Sequence, residues 1–586
     1  MVSASFSFGA PHNGCSTVQL NDWKFYFAGK DSSLSYIQYD STRHYLDAAV
    51  PHTFPSGGKN NEPGQGFGWY YRDLDVPAPS SGKDLFMSFD GVALRAKVFV
   101  NGSIAGASDY PYLPFKIDLT PFISAGTRLH LAVMVDNRLL DGGLPDTRAR
   151  GWWNYGGLIR EVSLNIVSRL RIDEARVQTL YHAKDTFDLS LHLSPPEEKW
   201  DSVSMVFWAD EKPSCIFKAS VQGTDTVLRI GGVRAWTPES PVLYRFTFIP
   251  HLRGRSGDTM RLQRGFCQLT TRESRLFLNG NLCFLRGMGR HDVLGNRGPL
   301  LTREERRADL CDMKAMDVNF LRIAHFPQHR DVYELCDSLG LLVMDEIPAW
   351  KSNASFLGSK QGREYGAWYV RAMVKAHGNY TCVCLWSVGN QLASYKTALA
   401  DYVSAAAGEA RTLDPSRPVT YCSYYYLWDK AFSHVDVIAV NEYFGWELAS
   451  LDMLGPMLDK IHKDWPDKPV LVAEFGAQSK IGLHNSSARL AGAVKSMLTK
   501  DLSEDHHQLF LRSHMDTIWT RRAFVCGMVV WSYNDYLSYM NKARTADMPV
   551  GLNACGMVTG DREKKLSWEI VRQRYGFFRN LFKEND

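Results

Sequence analysis

The second half of the chain repeats one alternation: short apolar runs typical of strands are separated by segments with helical periodicity. From Cys283 onward this alternation favours parallel strands joined by helices. Eight such runs in about 300 residues are the number needed for a (β/α)8 barrel. The sequence therefore predicts a barrel over residues 273–586. The predicted barrel strands are Cys283–Arg286, Asn319–Ile323, Leu341–Met344, Val383–Trp386, Val419–Tyr421, Val437–Val440, Val470–Val472 and Gly527–Trp531.

The first half of the chain shows strand patterns without helical periodicity. Short alternating runs, such as Ala96–Val100 and Leu129–Val135, are separated by turn residues. This spacing predicts an all-β sandwich over residues 1–168. A second β segment over residues 169–272, with runs such as Phe187–Leu193, has the length of a small Ig-like sandwich. We therefore expect three domains, which a chain of 586 residues is long enough to support.

The balance of charged residues and the N-terminal sequence limit which kinds of partner are expected. The chain has 67 Lys and Arg residues against 63 Asp and Glu residues, and no basic block that could follow a phosphate backbone. Nucleic acid is therefore not an expected partner. The N-terminus lacks a signal-peptide pattern and no run reaches about 18 apolar residues, so we expect no membrane partner and a cytoplasmic protein. A longer secreted precursor stays open as an alternative, and the sequence is compatible with a homo-oligomer.

The 11 cysteines are scattered without the spacing of metal ligands. Several of them, such as Cys382, Cys384 and Cys526, lie within apolar strand-like runs. We expect buried reduced thiols rather than a disulfide framework, and neither a metal nor a cofactor.

Polar residues follow the predicted barrel strands. The carboxyl ends of barrel strands meet at one face, where reacting groups gather. Retaining cleavage of a glycosidic bond needs two carboxyl groups about 5 to 5.5 Å apart, which neighbouring or alternate strands can supply. One polar strand end could be an ordinary loop residue, whereas seven together predict a site. The strand ends carry Arg290–Asp292, Arg322 with His325, Asp345–Glu346, Asn390–Gln391, Asn441–Tyr443, Glu474, and Trp531 with Asn534–Asp535.

Extended stretches around these strand ends resemble glycoside hydrolase family 2, which includes β-galactosidases, β-glucuronidases and β-mannosidases. Arg286–Asp292 resembles the family's signature after the first barrel strand. Leu321–Pro327 and Asp337–Pro348 resemble its second and third strand region. The stretch from Phe89 to Gly102, together with Asp136–Arg138, resembles its N-terminal jelly-roll domain. The resemblance covers nearly the whole chain. It implies a jelly-roll sugar-binding-like sandwich, an Ig-like sandwich and a catalytic TIM barrel.

By this resemblance Glu474 takes the position of the catalytic nucleophile of a retaining exo-β-glycosidase. Gln391 stands where the family carries its Glu acid/base, directly after Asn390, which would bind the sugar 2-hydroxyl. An amide can neither give a proton to the leaving group nor accept one from water, and such assistance is typically worth about 10² to 10⁴ in rate. We expect an inactivated variant. An engineered substrate trap is the favoured origin, and a natural sequence with lost or altered activity is the alternative.

Further residues are predicted to contact the sugar. His291, Asp292, Arg322 and His325 could bind hydroxyl groups, and Arg322 could also hold Glu474 ionised by its opposite charge. Two of them have a structural alternative, a salt bridge for Arg322 and a satisfied buried histidine for His325. By resemblance Tyr443 would hydrogen-bond the nucleophile. Trp531 offers a flat face for a pyranose ring, although a core Trp is nearly as expected.

The identity of the sugar depends on the pocket's charge. Recognition of a uronic acid needs cationic groups or strong hydrogen-bond donors, and the family's glucuronidases use an Asn-x-Lys element. Here Asn553 is present, but Cys555 replaces the lysine. Glu447, following Trp446, would add negative charge at the rim unless it is an ordinary solvated loop residue. A neutral β-glycoside, most simply a β-galactoside, is therefore the predicted substrate.

Two other functions stay open at this point. A β-glucuronidase-like enzyme is one, because the stretches Asn441–Trp446 and Ala473–Ala477 lean toward that group. A carbohydrate-binding protein without catalysis is the other, because Gln391 leaves a sugar-shaped cleft without its acid.

Overall fold

The structure is a computed structural model that describes residues 12–13, 16–30, 38–57, 62–76, 82–123, 128–196, 199–209, 212–485, 500–540 and 545–584. The N-terminal segment on which the expectation of no targeting signal rests lies outside the described residues.

Residues 16–168 form a two-sheet β-sandwich, which follows the short strand β1, His12–Asn13. Its strands are β2 Ser16–Gln19, β3 Asp22–Gly29, β4 Leu46–Ala49, β5 Phe67–Asp75, β6 Lys83–Phe89, β7 Arg95–Val100, β8 Ser103–Ser108, β9 Phe115–Asp118, β10 Arg128–Asp136 and β11 Val162–Ser168. One sheet has the order β4-β3-β5-β10-β7-β8 and the other β2-β11-β6-β9, with antiparallel pairing. Alternate residues face the shared core, as Val98 and Val133 do across the β7–β10 pair.

A second sandwich follows the first along the chain and precedes the barrel. Its strands are β12 Glu174–Ala183, β13 Thr186–Ser194, β14 Ser202–Ala209, β15 Lys212–Val221, β16 Asp225–Gly231, β17 Tyr244–Leu252, β18 Arg255–Ser256 and β19 Thr259–Arg264. The sheet β12-β13-β16 faces the sheet β1-β19-β17-β14-β15, and Leu189 and Phe246 lie in their common core. Since His12 pairs with Met260, the N-terminal strand belongs to this second sandwich rather than to the first. The domain limits at 168 and 272 stay a prediction.

The barrel follows a small sheet of β20 Leu269–Arg272, β21 Arg275–Leu278 and β22 Asn281–Cys283. Eight parallel strands close the barrel: β23 Leu285–Arg290, β24 Phe320–Ile323, β25 Leu342–Glu346, β26 Val383–Asn390, β27 Val419–Ser423, β28 Val437–Asn441, β29 Val470–Phe475 and β30 Val525–Val530. A hairpin of β31 Tyr536–Leu537 and β32 Leu552–Asn553 follows. The described α-helices are α1 Arg303–Ala315, α2 Arg330–Leu339, α3 Ala354–Leu357, α4 Lys360–His377, α5 Thr397–Leu413, α6 Leu454–Asp464, α7 Glu504–Trp519 and α8 Leu566–Glu584.

The predicted fold, two sandwiches before a (β/α)8 barrel, is confirmed, and each predicted barrel run overlaps one observed strand. Several strands continue further than their apolar runs. β26 extends to Asn390 and β29 to Phe475, so that Asn390 and Glu474 lie within the strands. Polar side chains can be buried there because they hydrogen-bond to one another across the barrel. The strand ends therefore hold these groups on rigid backbone rather than on loops.

The described cysteines are free thiols, and most of them are buried, including Cys382, Cys384 and Cys526. Burial raises the pKa of the Cys526 thiol, which keeps it protonated. Cys15 and the side chain of Cys215 lie outside the described residues. Within the described ranges, no helix has the length and apolar character needed to cross a membrane. The same part of the chain holds no group of three or more His, Cys, Asp or Glu side chains placed to bind a metal ion.

Candidate active site

Arg322 lies at the centre of a buried charge cluster at the carboxyl ends of the barrel strands. Its Nη1 donates to Glu474 Oε1 at 2.5 Å and to the Ala473 carbonyl at 3.0 Å, while Nη2 donates to Glu346 Oε2 at 3.0 Å. The three charged residues come from β24, β29 and β25. One guanidinium therefore fixes two carboxylates from separate strands, and the predicted salt bridge of Arg322 and its predicted contact with Glu474 are both present.

Glu346 has donors on both carboxylate oxygens. It accepts from Arg322, from His325 Nδ1 at 2.9 Å and from the Ser387 hydroxyl at 2.8 Å. Burial alone would raise the pKa of Glu346, but Arg322 and then His325 outweigh burial and lower it below its ordinary value. Glu346 is thus an ionised group with saturated contacts, which suits it to hold Arg322 and His325 in place.

Glu474 is held from two sides and is 2% exposed. Besides Arg322, its Oε1 is 3.4 Å from Asn390 Nδ2, and its Oε2 accepts from the Tyr443 hydroxyl at 2.8 Å. Burial, followed by the neighbouring Glu474 charge, raises the pKa of Tyr443 well above its ordinary value. Tyr443 therefore stays a proton donor, and the arrangement fixes the direction of the Glu474 carboxylate.

Asn390 and Gln391 lie at the end of β26, beside the same cluster. Asn390 Oδ1 accepts from Asn441 Nδ2 at 2.8 Å, and Asn390 Nδ2 lies 3.0 Å from His325 Nδ1. Gln391 follows in the left-handed region with φ of 52°, and its backbone N–H donates to the Cys422 carbonyl at 2.7 Å. Position 391 is thus fixed by its backbone, one residue from an amide that contacts Glu474.

An aromatic wall covers one side of the cluster. The His325 and Trp531 rings stack with centroids 5.1 Å apart, and His325 Nε2 is 4.0 Å from Glu474 Oε1. The His291 ring lies 5.5 Å from Trp531 and 5.6 Å from His325. Burial, and then the His325 and Arg322 charges, lower the pKa of His291 well below its ordinary value, so this ring is neutral.

Three of the residues predicted to contact the sugar are Asp292, Asn553 and Glu447. The described contacts of Glu474 do not include them. Both oxygens of Asp292 are taken by buried arginines, Arg290 Nη1 at 2.7 Å and Arg306 Nη2 at 3.1 Å. Asn553 donates to the Tyr536 hydroxyl at 2.9 Å, and the Tyr536 ring centroid lies 6.2 Å from that of Trp531. Glu447 is half-buried in the loop after β28. Their roles toward a sugar stay predictions.

Sequence reasoning did not place Trp152 and Tyr536 in the site, and it noted Glu346 only as a polar strand end. Trp152 comes from the first sandwich, and its ring is 5.5 Å from His325. Tyr536 packs on His291 with ring centroids 3.9 Å apart. A strand-end Glu is a visible signal, whereas contact with Trp152 depends on how two domains dock and leaves no local pattern.

Comparison with known proteins agrees with this geometry. Residues 269–580 match the family profile described as "Glycosyl hydrolases family 2, TIM barrel domain", and residues 32–167 match "Glycosyl hydrolases family 2, sugar binding domain". A β-glucuronidase from Paenibacillus borealis is 25% identical over 544 residues, covering 87% of each chain. Human β-glucuronidase is 24% identical over 570 residues, covering 87% of this chain and 81% of the relative.

Solved structures share the fold. A β-D-glucuronidase of Dictyoglomus thermophilum aligns with a TM-score of 0.83 at 21% identity, covering 98% of this chain and 99% of the other. A GH2 β-galacturonidase of Eisenbergiella tayi aligns with a TM-score of 0.81 at 21% identity, with the same coverage. The barrel profile alone spans more than half of the sequence. The chain belongs to glycoside hydrolase family 2.

Proposed function

We propose that the chain is built as a retaining exo-β-glycosidase that acts on the terminal sugar of a β-glycoside by double displacement. Glu474 is the proposed nucleophile, and Gln391 occupies the acid/base position. The observation that carries the proposal is the carboxylate of Glu474, buried at the end of a barrel strand and aligned by Arg322 and Tyr443. Asn390, which contacts Glu474, precedes Gln391 directly.

Each step of this mechanism makes a separate demand on the two positions. Glu474 would attack the anomeric carbon, while Arg322 offsets its charge and Tyr443 orients its second oxygen. The leaving oxygen needs a proton from position 391, and water attacking the glycosyl-enzyme needs a base at the same position. Because an amide supplies neither, turnover by this chain is proposed to be slower by about 10² to 10⁴ than with a Glu there. Substrate binding would be retained.

A neutral sugar is the proposed substrate, with a β-galactoside first. A uronate would need a cation facing its carboxylate. Among the described residues near the site, Arg322 is engaged by Glu346 and Glu474, and Lys565 is engaged by Asp535. Cys555, beside Trp531 and Tyr536, adds a small apolar surface.

A β-glucuronidase-like activity is the second candidate, and the names of the relatives favour it. The proteins from Paenibacillus borealis and human are both named β-glucuronidase. The third candidate, a carbohydrate-binding protein without turnover, is favoured by Gln391 itself. The cytoplasmic location and homo-oligomeric state proposed from the sequence accompany all three.

The test restores the acid. Gln391→Glu should raise hydrolysis of one class of nitrophenyl β-glycoside by about 10² to 10⁴, and the panel should include galactosides, glucosides, mannosides and glucuronides. A galactoside response supports the first candidate, and a glucuronide response the second. Added azide should speed turnover of the unaltered chain with an activated leaving group. If the folded Gln391→Glu protein binds glycosides but hydrolyses none, the binding function stands and the proposed nucleophile does not.

A further inference from the structure

A cavity of about 350 Å³ lies between the first sandwich and the barrel, and neither Glu474 nor Gln391 lines it. Its wall is mainly apolar and aromatic, with Tyr112, Trp152, Phe326, Tyr536, Met548 and Leu552 among the lining residues. Ligand pockets in proteins begin at about 300 Å³, and a dry cavity of about 150 Å³ is sufficient for benzene. The cavity is therefore large enough for a small organic group, and nothing in the mechanism proposed above uses it.

The cavity shares a wall with the proposed sugar site. His291 and Tyr536 line the cavity, and their ring centroids lie 5.5 Å and 6.2 Å from Trp531. Trp531 in turn stacks on His325, whose Nε2 is 4.0 Å from Glu474 Oε1. The cavity and Glu474 therefore adjoin the same group of aromatic rings.

Three buried nitrogens in this wall, Trp152 Nε1, Trp153 Nε1 and His291 Nε2, have no hydrogen-bond partner among the described residues. His291 is 1% exposed, and within the described part of the chain its Nε2 makes no hydrogen bond. A buried nitrogen without a partner costs free energy, and native structures rarely retain one without a function or a bound molecule. The low pKa of His291 keeps the ring neutral, and in the tautomer with its hydrogen on Nε2 that N–H donates a hydrogen bond to a neutral acceptor.

The strand order shows which end of a bound sugar faces the cavity. The proton for the leaving group comes from position 391 at the end of β26, so the leaving group lies on that side. The barrel residues that line the cavity, including His291, Lys480 and Tyr536, follow β23, β29 and β30. In an eight-stranded closed barrel β30 is opposite β26. The cavity therefore faces the end of the sugar remote from the anomeric carbon.

We propose that this cavity binds an apolar acyl substituent, best an aromatic one, carried by the terminal sugar at the end remote from the anomeric carbon. The ester carbonyl oxygen accepts a hydrogen bond from His291 Nε2, and the aromatic part packs against Trp152, Tyr536 and Met548. The inference rests on the proposed function, because Glu474 is taken to hold the sugar. It makes the preferred substrate an acylated β-glycoside.

The experiment measures calorimetric binding to the unaltered chain, in which Gln391 keeps turnover slow. The probes are phenyl β-thiogalactoside and phenyl β-thioglucoside, each plain and as 4-O- and 6-O-benzoyl esters. Met548→Trp adds an indole to the cavity wall. Val550→Trp is the matched control, because Val550 lies on the same loop, is 37% exposed and does not line the cavity. Thermal unfolding of both variants checks that they fold, and Leu552→Phe fills the cavity from another position if Met548→Trp does not.

We expect at least one benzoyl ester to bind about tenfold or more tightly than its plain parent, since burying an aromatic ring is worth at least 1.4 kcal/mol by area. Met548→Trp should remove that gain and leave plain ligands unchanged, whereas Val550→Trp should change neither. The cavity proposal is overturned if plain glycosides bind but the esters bind no more tightly. It is also overturned if the esters keep their full affinity in the cavity-filling variants. In both cases the proposed function stands. If none of the probes binds in any form, both fall.

Discussion

The segment from Arg322 to His329 carries two charge clusters that differ in burial and in purpose. The inner cluster joins Arg322 to Glu346 and Glu474, all of them at most 2% exposed. The outer cluster joins His329 at the start of α2 to Glu161 of the first sandwich at 2.8 Å, with 33% of the Glu161 side chain exposed. Charges without water are strongly coupled and costly to unpair, whereas a pair with one partly exposed partner is weaker and titrates. The inner cluster therefore holds the proposed nucleophile in place, and the outer one joins two domains.

The largest effect is expected when Glu474, the proposed nucleophile in the inner cluster, is replaced. In the Gln391→Glu background, Glu474→Gln should reduce turnover at least about 10⁴-fold, the order found when a nucleophile is removed from a covalent mechanism. Ligand binding should change little, because the amide keeps the shape of the carboxylate, whereas the unfolding temperature should fall, because Arg322 loses one of its two buried carboxylate partners. Steady-state kinetics and calorimetry measure both. Residual turnover within tenfold of the parent would assign the nucleophile elsewhere.

The second prediction tests the structural member of the same cluster. Glu346→Gln leaves Arg322 with one carboxylate instead of two and should lower the free energy of unfolding by about 3 to 5 kcal/mol. Ser387→Ala is the matched control, because it removes one neutral donor to Glu346 and should cost about 1 kcal/mol. Urea denaturation of both variants gives the comparison. Equal losses would mean that the inner cluster is no more strongly coupled than an ordinary hydrogen bond.

The third prediction concerns Tyr443, which orients the proposed nucleophile. Tyr443→Phe removes a hydrogen bond to a charged oxygen, worth about 1.5 to 3 kcal/mol, so turnover in the Gln391→Glu background should fall about 10- to 100-fold. The loss should appear in kcat rather than KM, since the phenol contacts Glu474 and not the substrate ground state. A change confined to KM would instead make Tyr443 a sugar contact.

The smallest effect is expected in the outer cluster and depends on pH. Burial opposes the shift, but His329 lowers the pKa of Glu161 to about 2, below its ordinary 4.5, so this contribution is lost as pH falls from 4.5 toward 2. Burial also opposes charging of His329, yet Asp331 and Glu161 raise its pKa above 6.5. The His329 contribution is complete below 6.5 and is lost as pH rises through the folded value.

Glu161→Gln should therefore destabilise the chain most between pH 4.5 and 6.5, by about 1 kcal/mol, because water reaches the 33% of the Glu161 side chain that is exposed and weakens the pair. Chemical denaturation across pH measures the difference between the two proteins. A difference that is constant with pH would show that the pair does not titrate. The inner cluster has no comparable exposed member, so Glu346→Gln should not produce such a window.

The barrel could be predicted from the sequence because each strand needs a local apolar run, and these runs overlap the observed strands. The ends Asn390 and Glu474 were also legible, since polar residues directly after apolar runs are a local signal. The features that the sequence did not predict are contacts between residues that lie far apart in the chain. Arg306, on α1, donates hydrogen bonds to Asp292, and Trp152 contacts the site from another domain. His12 pairs with Met260 in the second sandwich. Such contacts depend on how domains dock and how strands pair, and a single sequence carries no local pattern that predicts either.

Trp152 also limits how this protein can be divided or recombined. Its ring, supplied by the first sandwich, lies against His325 and Phe326 of the barrel. A fragment carrying the barrel alone would present these two rings to water and lose one boundary of the proposed sugar pocket. Exchange of the sandwich between relatives should consequently alter ligand preference as well as solubility, so the two modules are expected to change together in evolution.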